Sequence, residues 1–353
     1  MTTVESLQTQ INSVISLYSN GQIQEALDRV EILTKGYPDE PLLYNISGVC
    51  YKASGQLDAA VESFEKALAI KPDYIEACYN LGIVFMGLGQ FDNAVKSYEK
   101  ALTLKPNYAE AHYNLGIAFK KLGQMDTAVE CYEKAIAIQP NYAEAHNNLG
   151  NTFLDLGQLD AAIEYYKKAL TVNPDYAEAH NNLGNAFKKL GQLDDAVKSY
   201  EKTLALKPDN AETHNNLGIV YMQLNQTDVA VKCYEKALAI KPNYADAHAN
   251  HGNAMKRLKR LEEALASYKS AIALDPELVF ILGDIYVTKM RLCIWDDLAS
   301  HLNELTSKVN NNEKALNPFI ALATIDDPEI QRKAAQIYAN EKYPQSHVLP
   351  KIE

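Results

Sequence analysis

Residues 143–176 read AEAHNNLGNTFLDLGQLDAAIEYYKKALTVNPDY, and residues 177–210 read AEAHNNLGNAFKKLGQLDDAVKSYEKTLALKPDN. The two stretches align without a gap and carry a proline at the same place. Prolines recur at this spacing of 34 residues along most of the chain, at Pro38, Pro72, Pro106, Pro140, Pro174, Pro208, Pro242 and Pro276. A fixed period of this size indicates stacked supersecondary units, so the chain is predicted to be a repeat array.

The residues inside each unit describe two helices, A and B. If the proline is position 32, eight units cover residues 7–278, which we number repeats 1 to 8. Position 8 is Gly in seven repeats, position 20 is Ala in all eight, and position 24 is aromatic in seven. Because Gly inside a helix costs about 1 kcal/mol relative to Ala, we expect it to face the small Ala of helix B, with the aromatic ring beside that contact.

The ends of the helices are also predicted by the pattern. A second Gly recurs at position 15 and predicts the end of helix A. The proline predicts the end of helix B, since the residue before a proline avoids the helical region. An Asn or Asp with an acid three residues later, such as Asn107 with Glu110 and Asn141 with Glu144, predicts a capping box at the start of the next helix A.

This pattern resembles the tetratricopeptide repeat family over residues 7–278. A single hairpin cannot bury its apolar face alone, so stacked hairpins are expected to share one core. The fold implied is all-α: a right-handed α-solenoid (superhelix) of about eight hairpins with a C-terminal helical cap. Residues 1–40 are interpreted as a degenerate N-terminal capping repeat, residues 41–278 as seven regular repeats, and residues 279–353 as the C-terminal helical cap or linker.

Position 6 of helix A is the first candidate binding row. Asn is a poor helix former, so its recurrence needs a reason. Family resemblance places this face on the concave surface, where each amide could pair with one peptide group of an extended guest chain. The alternative is a hydrogen bond between neighbouring repeats. The row consists of Asn80, Asn114, Asn148, Asn182, Asn216 and Asn250.

Position 2 forms a second, acidic row on the same face. It could favour basic or hydroxyl-bearing guest side chains. The competing interpretation, which we favour, is the capping box together with favourable charge at a helix N-terminus. The row consists of Glu76, Glu110, Glu144, Glu178, Glu212 and Asp246.

Position 4 carries a row of histidines that is not expected to bind metal. Side chains one repeat apart are roughly 10 Å apart, whereas a zinc ion needs nitrogens at about 2.0–2.1 Å. We therefore predict packing between repeats, no metal site and no cofactor. The row consists of His112, His146, His180, His214 and His248.

Composition limits the partners and the location. The net charge of −11 makes nucleic acid an improbable partner. The five cysteines have no CxxC spacing, which favours a reducing compartment. The sequence carries no signal-peptide pattern and no apolar run of about 18 residues, so we expect a cytoplasmic protein that does not enter the membrane. No phosphate-binding glycine loop or nucleophile elbow occurs, so no enzymatic activity is expected of this chain.

The C-terminal segment carries a second, narrower resemblance. The stretches MRLCIWDDL, NPFIALATIDDP and QRKAAQIYANEKYP look like the linker that bacterial relatives of protein O-GlcNAc transferase place between repeats and catalytic domain. The resemblance implies that the position-6 asparagines grip the acceptor polypeptide and that position-2 acids influence its choice. It also implies a glycosyltransferase domain that would begin near the final VLPKIE.

These observations favour a protein-interaction module that binds extended polypeptide, the non-catalytic, substrate-recruiting half of an O-GlcNAc-transferase-like protein. The alternative is a stand-alone scaffold that assembles, or homodimerises, through its convex surface. A co-chaperone with a carboxylate clamp is a weaker variant, because repeats 2 to 8 carry no Lys or Arg at positions 2, 5, 6 or 9.

Overall fold

In the computed structural model, residues 6–342 are described, and they contain twenty helices and no strand. The all-α prediction is confirmed. The predicted features within residues 1–5 and 343–353, including the final VLPKIE, lie outside the described residues. The helices of repeats 1 to 4 are α1 Leu7–Ser19, α2 Ile23–Gly36, α3 Pro41–Ala53, α4 Leu57–Ile70, α5 Ile75–Gly87, α6 Phe91–Leu104, α7 Ala109–Lys121 and α8 Met125–Ile138.

Repeats 5 to 8 continue the same alternation, and four more helices follow them. The repeat helices are α9 Ala143–Asp155, α10 Leu159–Val172, α11 Ala177–Lys189, α12 Leu193–Leu206, α13 Ala211–Gln223, α14 Thr227–Ile240, α15 Ala245–Arg257 and α16 Leu261–Leu274. The C-terminal helices are α17 Ile281–Arg291, α18 Leu298–Asn310, α19 Pro318–Thr324 and α20 Pro328–Lys342.

The described residues divide into two compact units, one ending at Ala179 and the other starting at His180. The division falls inside α11, a position that no sequence signal indicated. The predicted boundaries after residues 40 and 278 stay predictions.

The turn between helices A and B depends on a left-handed residue, as predicted. Position 15 has a positive φ in every repeat, and it is Gly in six of them, with φ between 71° and 78°. Asn225 and Lys259 take the same conformation in repeats 7 and 8, each with φ 62°. Because a side chain makes this conformation costly, these two turns are the strained members of the series.

Helix B ends before the proline, also as predicted. In repeat 3, α6 stops at Leu104 and its C-cap residue, Lys105, has φ −136° and ψ 85°, outside the helical region. Pro106 follows directly. The ring therefore fixes where the chain leaves helix B and turns towards the next repeat.

The reason for Gly at position 8 differs from the predicted contact with Ala. A Cβ built on Gly116 would lie 2.8 Å from the ring of Tyr132, and one on Gly82 would lie 2.5 Å from the ring of Tyr98. The aromatic ring at position 24 thus occupies the space that a side chain would need. These rings are fully buried, so the close approach of helix A to a ring is the main reason for the glycine. In repeat 5 the carbonyl oxygen of Ala162 would also lie 3.2 Å from a Cβ on Gly150.

Both ends of the array depart from this plan. In repeat 1, Val14 and Val30 replace the Gly and the aromatic and are buried in the first hairpin. In the C-terminal segment, the polar stretch VNNNEKALN at residues 309–317 suggests a break between helices. The structure agrees only in part, because α18 continues to Asn310, and Ala315 and Leu316 are buried in a core shared with α17, α19 and α20.

Candidate functional site

The six position-6 asparagines lie on helix A of repeats 3 to 8, and each is half-buried. In repeats 3, 4 and 5 each side-chain amide donates a hydrogen bond to position 5 of the preceding repeat. The Nδ2-to-oxygen distances are 3.4 Å from Asn80 to Asn45, 2.8 Å from Asn114 to Tyr79, and 2.9 Å from Asn148 to Tyr113.

In the second unit, Asn250 also donates to position 5 of the preceding repeat, to Asn215 Oδ1 at 3.0 Å. Asn216 accepts from Lys188 Nζ at 3.1 Å and donates to Asn185 at 3.5 Å. The side-chain N–H groups of these five asparagines therefore form hydrogen bonds between neighbouring repeats, as the alternative interpretation of the row proposed.

The oxygen atoms of the first three asparagines have a different status. Within the described part of the chain, Oδ1 of Asn80, Asn114 and Asn148 accepts no hydrogen bond. Since the donor bond fixes the orientation of each amide plane, the three oxygens are held as acceptors in defined positions. These oxygens can accept hydrogen bonds from N–H donors. We expected both the N–H and the C=O of each side chain to bind a guest, and only the C=O is available for that.

All six position-2 acids are exposed. The predicted capping boxes are wrong: α7 and α9 begin after Tyr108 and Tyr142, and neither N-cap makes a side-chain capping bond. Asn107 and Asn141 lie one residue too early. The acids keep a favourable charge in the first helical turn, and Glu178 also accepts a hydrogen bond from Asn147 Nδ2 at 3.2 Å.

Tyrosines at position 34 are the N-cap residues of α7 and α9. The ring centroids of Tyr108 and Tyr79 lie 4.9 Å apart, as do those of Tyr142 and Tyr113. Each pair joins an N-cap to helix A of the preceding repeat. The periodic Tyr at position 34 was visible in the sequence, but its role was missed.

These tyrosines also meet the acidic row. Burial, followed by the nearby carboxylates of Glu144 and Glu178, raises the pKa of Tyr113 to about 12. Burial and the Tyr113 phenol raise the pKa of Tyr142. The face of helix A is thus electronegative, with neutral phenols between carboxylates at physiological pH.

The position-4 histidines pack between consecutive repeats, as predicted. In four of them Nε2 donates to the carbonyl oxygen of the preceding proline. The distances are 2.9 Å for His112 to Pro106, 2.9 Å for His146 to Pro140, 3.0 Å for His214 to Pro208 and 2.9 Å for His248 to Pro242. Across residues 6–342 no group of three His, Cys, Asp or Glu side chains is placed to hold a metal ion.

Comparison with known families decides the identity of the array. The profile described as "TPR repeat" matches six overlapping stretches that run from residue 48 to residue 259, and the profile "Tetratricopeptide repeat" matches residues 245–278. The chain belongs to the tetratricopeptide repeat family. Repeats of this family support a protein-interaction scaffold, and a repeat architecture is typical of non-catalytic proteins.

A curated relative shares a short part of the sequence. The peroxisomal targeting signal receptor of Candida glabrata is 28% identical over 85 residues, which is 22% of this tetratricopeptide repeat chain. The match spans only 14% of the receptor's own length. That protein is named as a receptor for a targeting signal.

Solved structures agree on the fold. The APC/C hetero-tetramer Cut9-Hcn1 aligns with a TM-score of 0.54 at 18% identity, covering 82% of this chain and 57% of that one. The pilF protein of Pseudomonas aeruginosa aligns with a TM-score of 0.52 at 21% identity, covering 57% of this chain and 92% of pilF. At these identities the likeness concerns the fold alone. None of the helices in residues 6–342 combines the length and apolar character required to cross a bilayer.

Proposed function

We propose that this chain is a protein-interaction module that binds an extended polypeptide along helix A of successive repeats. The guest would donate backbone N–H groups to the position-6 asparagine oxygens. The proposal rests on the Oδ1 atoms of three half-buried residues, Asn80, Asn114 and Asn148. Each side chain is oriented by the hydrogen bond that its own Nδ2 donates, and each Oδ1 has no hydrogen-bond donor among the described residues.

The spacing of these oxygens suits an extended chain. Helices of neighbouring hairpins pack about 8–10 Å apart, and three residues of extended chain span about 10 Å. One guest N–H in every three residues could therefore meet one repeat. Recognition through the main chain makes the affinity nearly independent of guest sequence.

The acidic row would supply the preference among guests. Within the described chain none of the six position-2 carboxylates forms a salt bridge. Exposed, unpaired carboxylates attract cations and accept hydrogen bonds from hydroxyl groups. We therefore propose guests with basic or hydroxyl-bearing side chains.

A narrower version of the proposal makes the chain the substrate-recruiting part of an O-GlcNAc-transferase-like protein. Its support is the resemblance of the segment after residue 278 to the linker of such proteins. The five cysteines are unpaired, which supports a reducing compartment such as the cytoplasm.

The test separates the asparagine oxygens from the bonds between repeats. A triple Asn→Ala variant at residues 80, 114 and 148 removes three acceptors, so affinity should fall about ten-fold or more. A Tyr79→Phe, Tyr113→Phe control removes the two hydroxyl groups that accept from Asn114 and Asn148 but keeps the three asparagine Oδ1 atoms. Labelled protein is screened on an array of short unstructured peptides, and the strongest binder is titrated by fluorescence anisotropy.

The control decides how a loss of binding is interpreted. The double Tyr→Phe variant should keep its affinity within about two-fold, since each lost bond only loosens an amide that remains present. Equal affinity of wild type and the triple Ala variant would refute the proposal. Equal weakening in the triple variant and the control would mean that repeat packing, not the oxygens, governs binding.

A second candidate function is assembly through helix B. In the first unit, position 30 presents a row of apolar side chains, each more than a third exposed: Ile70, Leu104, Ile138 and Val172. Such a row is typical of an interaction surface. Light scattering that gives a dimer mass for wild type, and a monomer mass when Ile70, Leu104 and Ile138 are changed to Ser, would favour homodimerisation through this surface.

A further inference from the structure

Helix B of repeat 7 borders an open groove of about 730 Å³ between α12, α13 and α14. The groove is lined mainly by apolar groups, with the rings of His214 and Tyr221 on one side and Cys233 and Lys236 on the other. His214 is 8% exposed. None of these residues belongs to the position-6 or position-2 rows.

The equivalent place in repeat 5 is filled by a side chain of the protein itself. Tyr165 occupies position 23 and stacks on Phe153 at 5.4 Å and 20°, and on His146 at 6.1 Å and 28°. Lys168 Nζ lies 4.4 Å from the centre of the Tyr165 ring, in cation–π contact. A half-buried aromatic ring is thus held by three residues of its own repeat.

Repeat 7 carries the holders of this ring but not the ring. The repeats differ by 68 residues in numbering, so each residue has a direct counterpart. The corresponding pairs are His146 with His214, Phe153 with Tyr221, Lys168 with Lys236, and Tyr165 with Cys233.

The two histidines also have the same orientation. Each donates from Nε2 to a proline carbonyl, at 2.9 Å for His146 and 3.0 Å for His214. Each has a buried Nδ1 without a hydrogen-bond partner among the described residues. Burial lowers the pKa of His214, so its imidazole is neutral at physiological pH and can stack as the one in repeat 5 does.

We propose that the groove of repeat 7 binds an aromatic side chain of a partner polypeptide, in the place that Tyr165 fills in repeat 5. The imidazole and the Tyr221 ring would stack on the guest ring, and Lys236 would lie over it. Position 23 is Ser or Cys in every regular repeat except repeat 5, and in repeat 7 the small Cys233 side chain leaves the space open. We infer that the partner is a polypeptide because the group that fills this place in repeat 5 is a protein side chain, that of Tyr165.

The experiment uses N-acetyl-tyrosinamide as the probe and the histidine Hε1 resonances as the readout. A ring stacked on the imidazole should shift the His214 signal through its ring current, while His248, whose repeat has Met255 at the position of Tyr221, should be unaffected. N-acetyl-leucinamide is the aliphatic control, and its apparent affinity should be about two- to ten-fold weaker.

Two variants exchange the residues of the two repeats. Cys233→Tyr should place a ring over His214 and abolish its response to the probe. Tyr165→Ser should open the groove of repeat 5 and give His146 a response that it lacks in wild type. Far-UV circular dichroism shows whether each variant folds, and the Tyr165→Ser arm decides alone if Cys233→Tyr does not.

Three outcomes would overturn the proposal. The first is a His214 shift as large with the leucine amide as with the tyrosine amide. The second is binding of free p-cresol without any binding of N-acetyl-tyrosinamide, which would make the groove a site for small phenols. The third is a folded Tyr165→Ser variant in which His146 does not respond.

Discussion

The regular repeats and the C-terminal segment solve the same packing problem in different ways. Each repeat closes its hairpin with a glycine of helix A against an aromatic ring of helix B, as Gly116 does with Tyr132. In the segment after residue 278, the core instead gathers Leu305, Leu316, Ile320 and other side chains from four helices and the loop between them. The repeats therefore depend on a local contact used many times, and the segment on distant contacts used once.

The helix α17 belongs to both regions. Ile281 and Ile285 pack with Tyr268 of repeat 8, in the place of a ninth helix A. Asp284 stands where position 6 would fall, 34 residues after Asn250, and it pairs with Lys256 Nζ at 2.6 Å. Leu282, Tyr286, Val287 and Met290 of the same helix pack in the C-terminal core, so α17 contributes side chains to both cores. The array thus ends within α17, which is placed like a helix A of a further repeat but whose side chains also pack with the C-terminal helices.

The largest expected effect tests whether the segment is an independent core. Leu316→Ala removes a side chain that is 1% exposed and should destabilise the segment by about 2–5 kcal/mol. Repeats far along the chain should be unaffected, because stability in such arrays passes mainly between neighbours.

Hydrogen exchange measured by mass spectrometry checks this expectation region by region. Amides of α17 to α20 should exchange faster in Leu316→Ala, while those of α7 and α8 keep their wild-type protection. Loss of protection in α7 and α8 as well would show that the two regions unfold as one.

A smaller effect is expected inside a repeat. Gly116→Ala would force a methyl group to within 2.8 Å of the Tyr132 ring, and overpacking of this kind costs about 1–3 kcal/mol. Gly87→Ala is the matched control, since its new Cβ would only touch Leu57 at 3.4 Å. Because Ala is the better helix former, that control should gain up to about 1 kcal/mol.

Chemical denaturation gives both free energies. The two substitutions are the same chemical change in helix A of consecutive repeats, so a difference in sign isolates the ring contact. If both variants gained stability, the Tyr132 ring could move aside, and the glycine would lack the packing reason proposed for it.

The sequence predicted the features that repeat every 34 residues. It did not predict those that depend on a contact with another repeat. Proline at position 32 and glycine at position 15 act through their own backbone preferences, so the ends of the helices were predicted correctly. The N-cap of α7 was not predicted correctly: the structure places Tyr108 there, in contact with the ring of Tyr79 in the preceding repeat, and not Asn107. That contact joins residues 29 positions apart, so the local pattern could not reveal it.

The candidate site shows the same limit. Periodicity identified the asparagine row but not the partner of each amide. Position 5 is Tyr in repeats 3 and 4 and Asn in repeats 2, 5, 6 and 7, and Asn216 donates to Asn185 at position 9 instead. Nor did the sequence show that the oxygens and the donors of Asn114 and Asn148 have separate roles, since that separation follows from hydrogen-bond geometry. The groove of repeat 7 became visible only beside its filled counterpart in repeat 5.

The smallest expected effect concerns the junction itself. Asp284→Asn turns the last position-6 residue into the one that the repeats use. Lys188 already donates to the amide oxygen of Asn216 at 3.1 Å, so Lys256 should keep a hydrogen bond to the new amide and lose only charge attraction.

The reverse change, Asn216→Asp, gives Lys188 a charged partner and should stabilise repeats 6 and 7. Each shift should be at most about 1 kcal/mol, because both lysines remain partly exposed to solvent. Thermal unfolding in low and high salt measures both, and screening should shrink the two shifts together. A loss well above that value in Asp284→Asn, unchanged by salt, would mean that the carboxylate serves the C-terminal core and that α17 is not a ninth helix A.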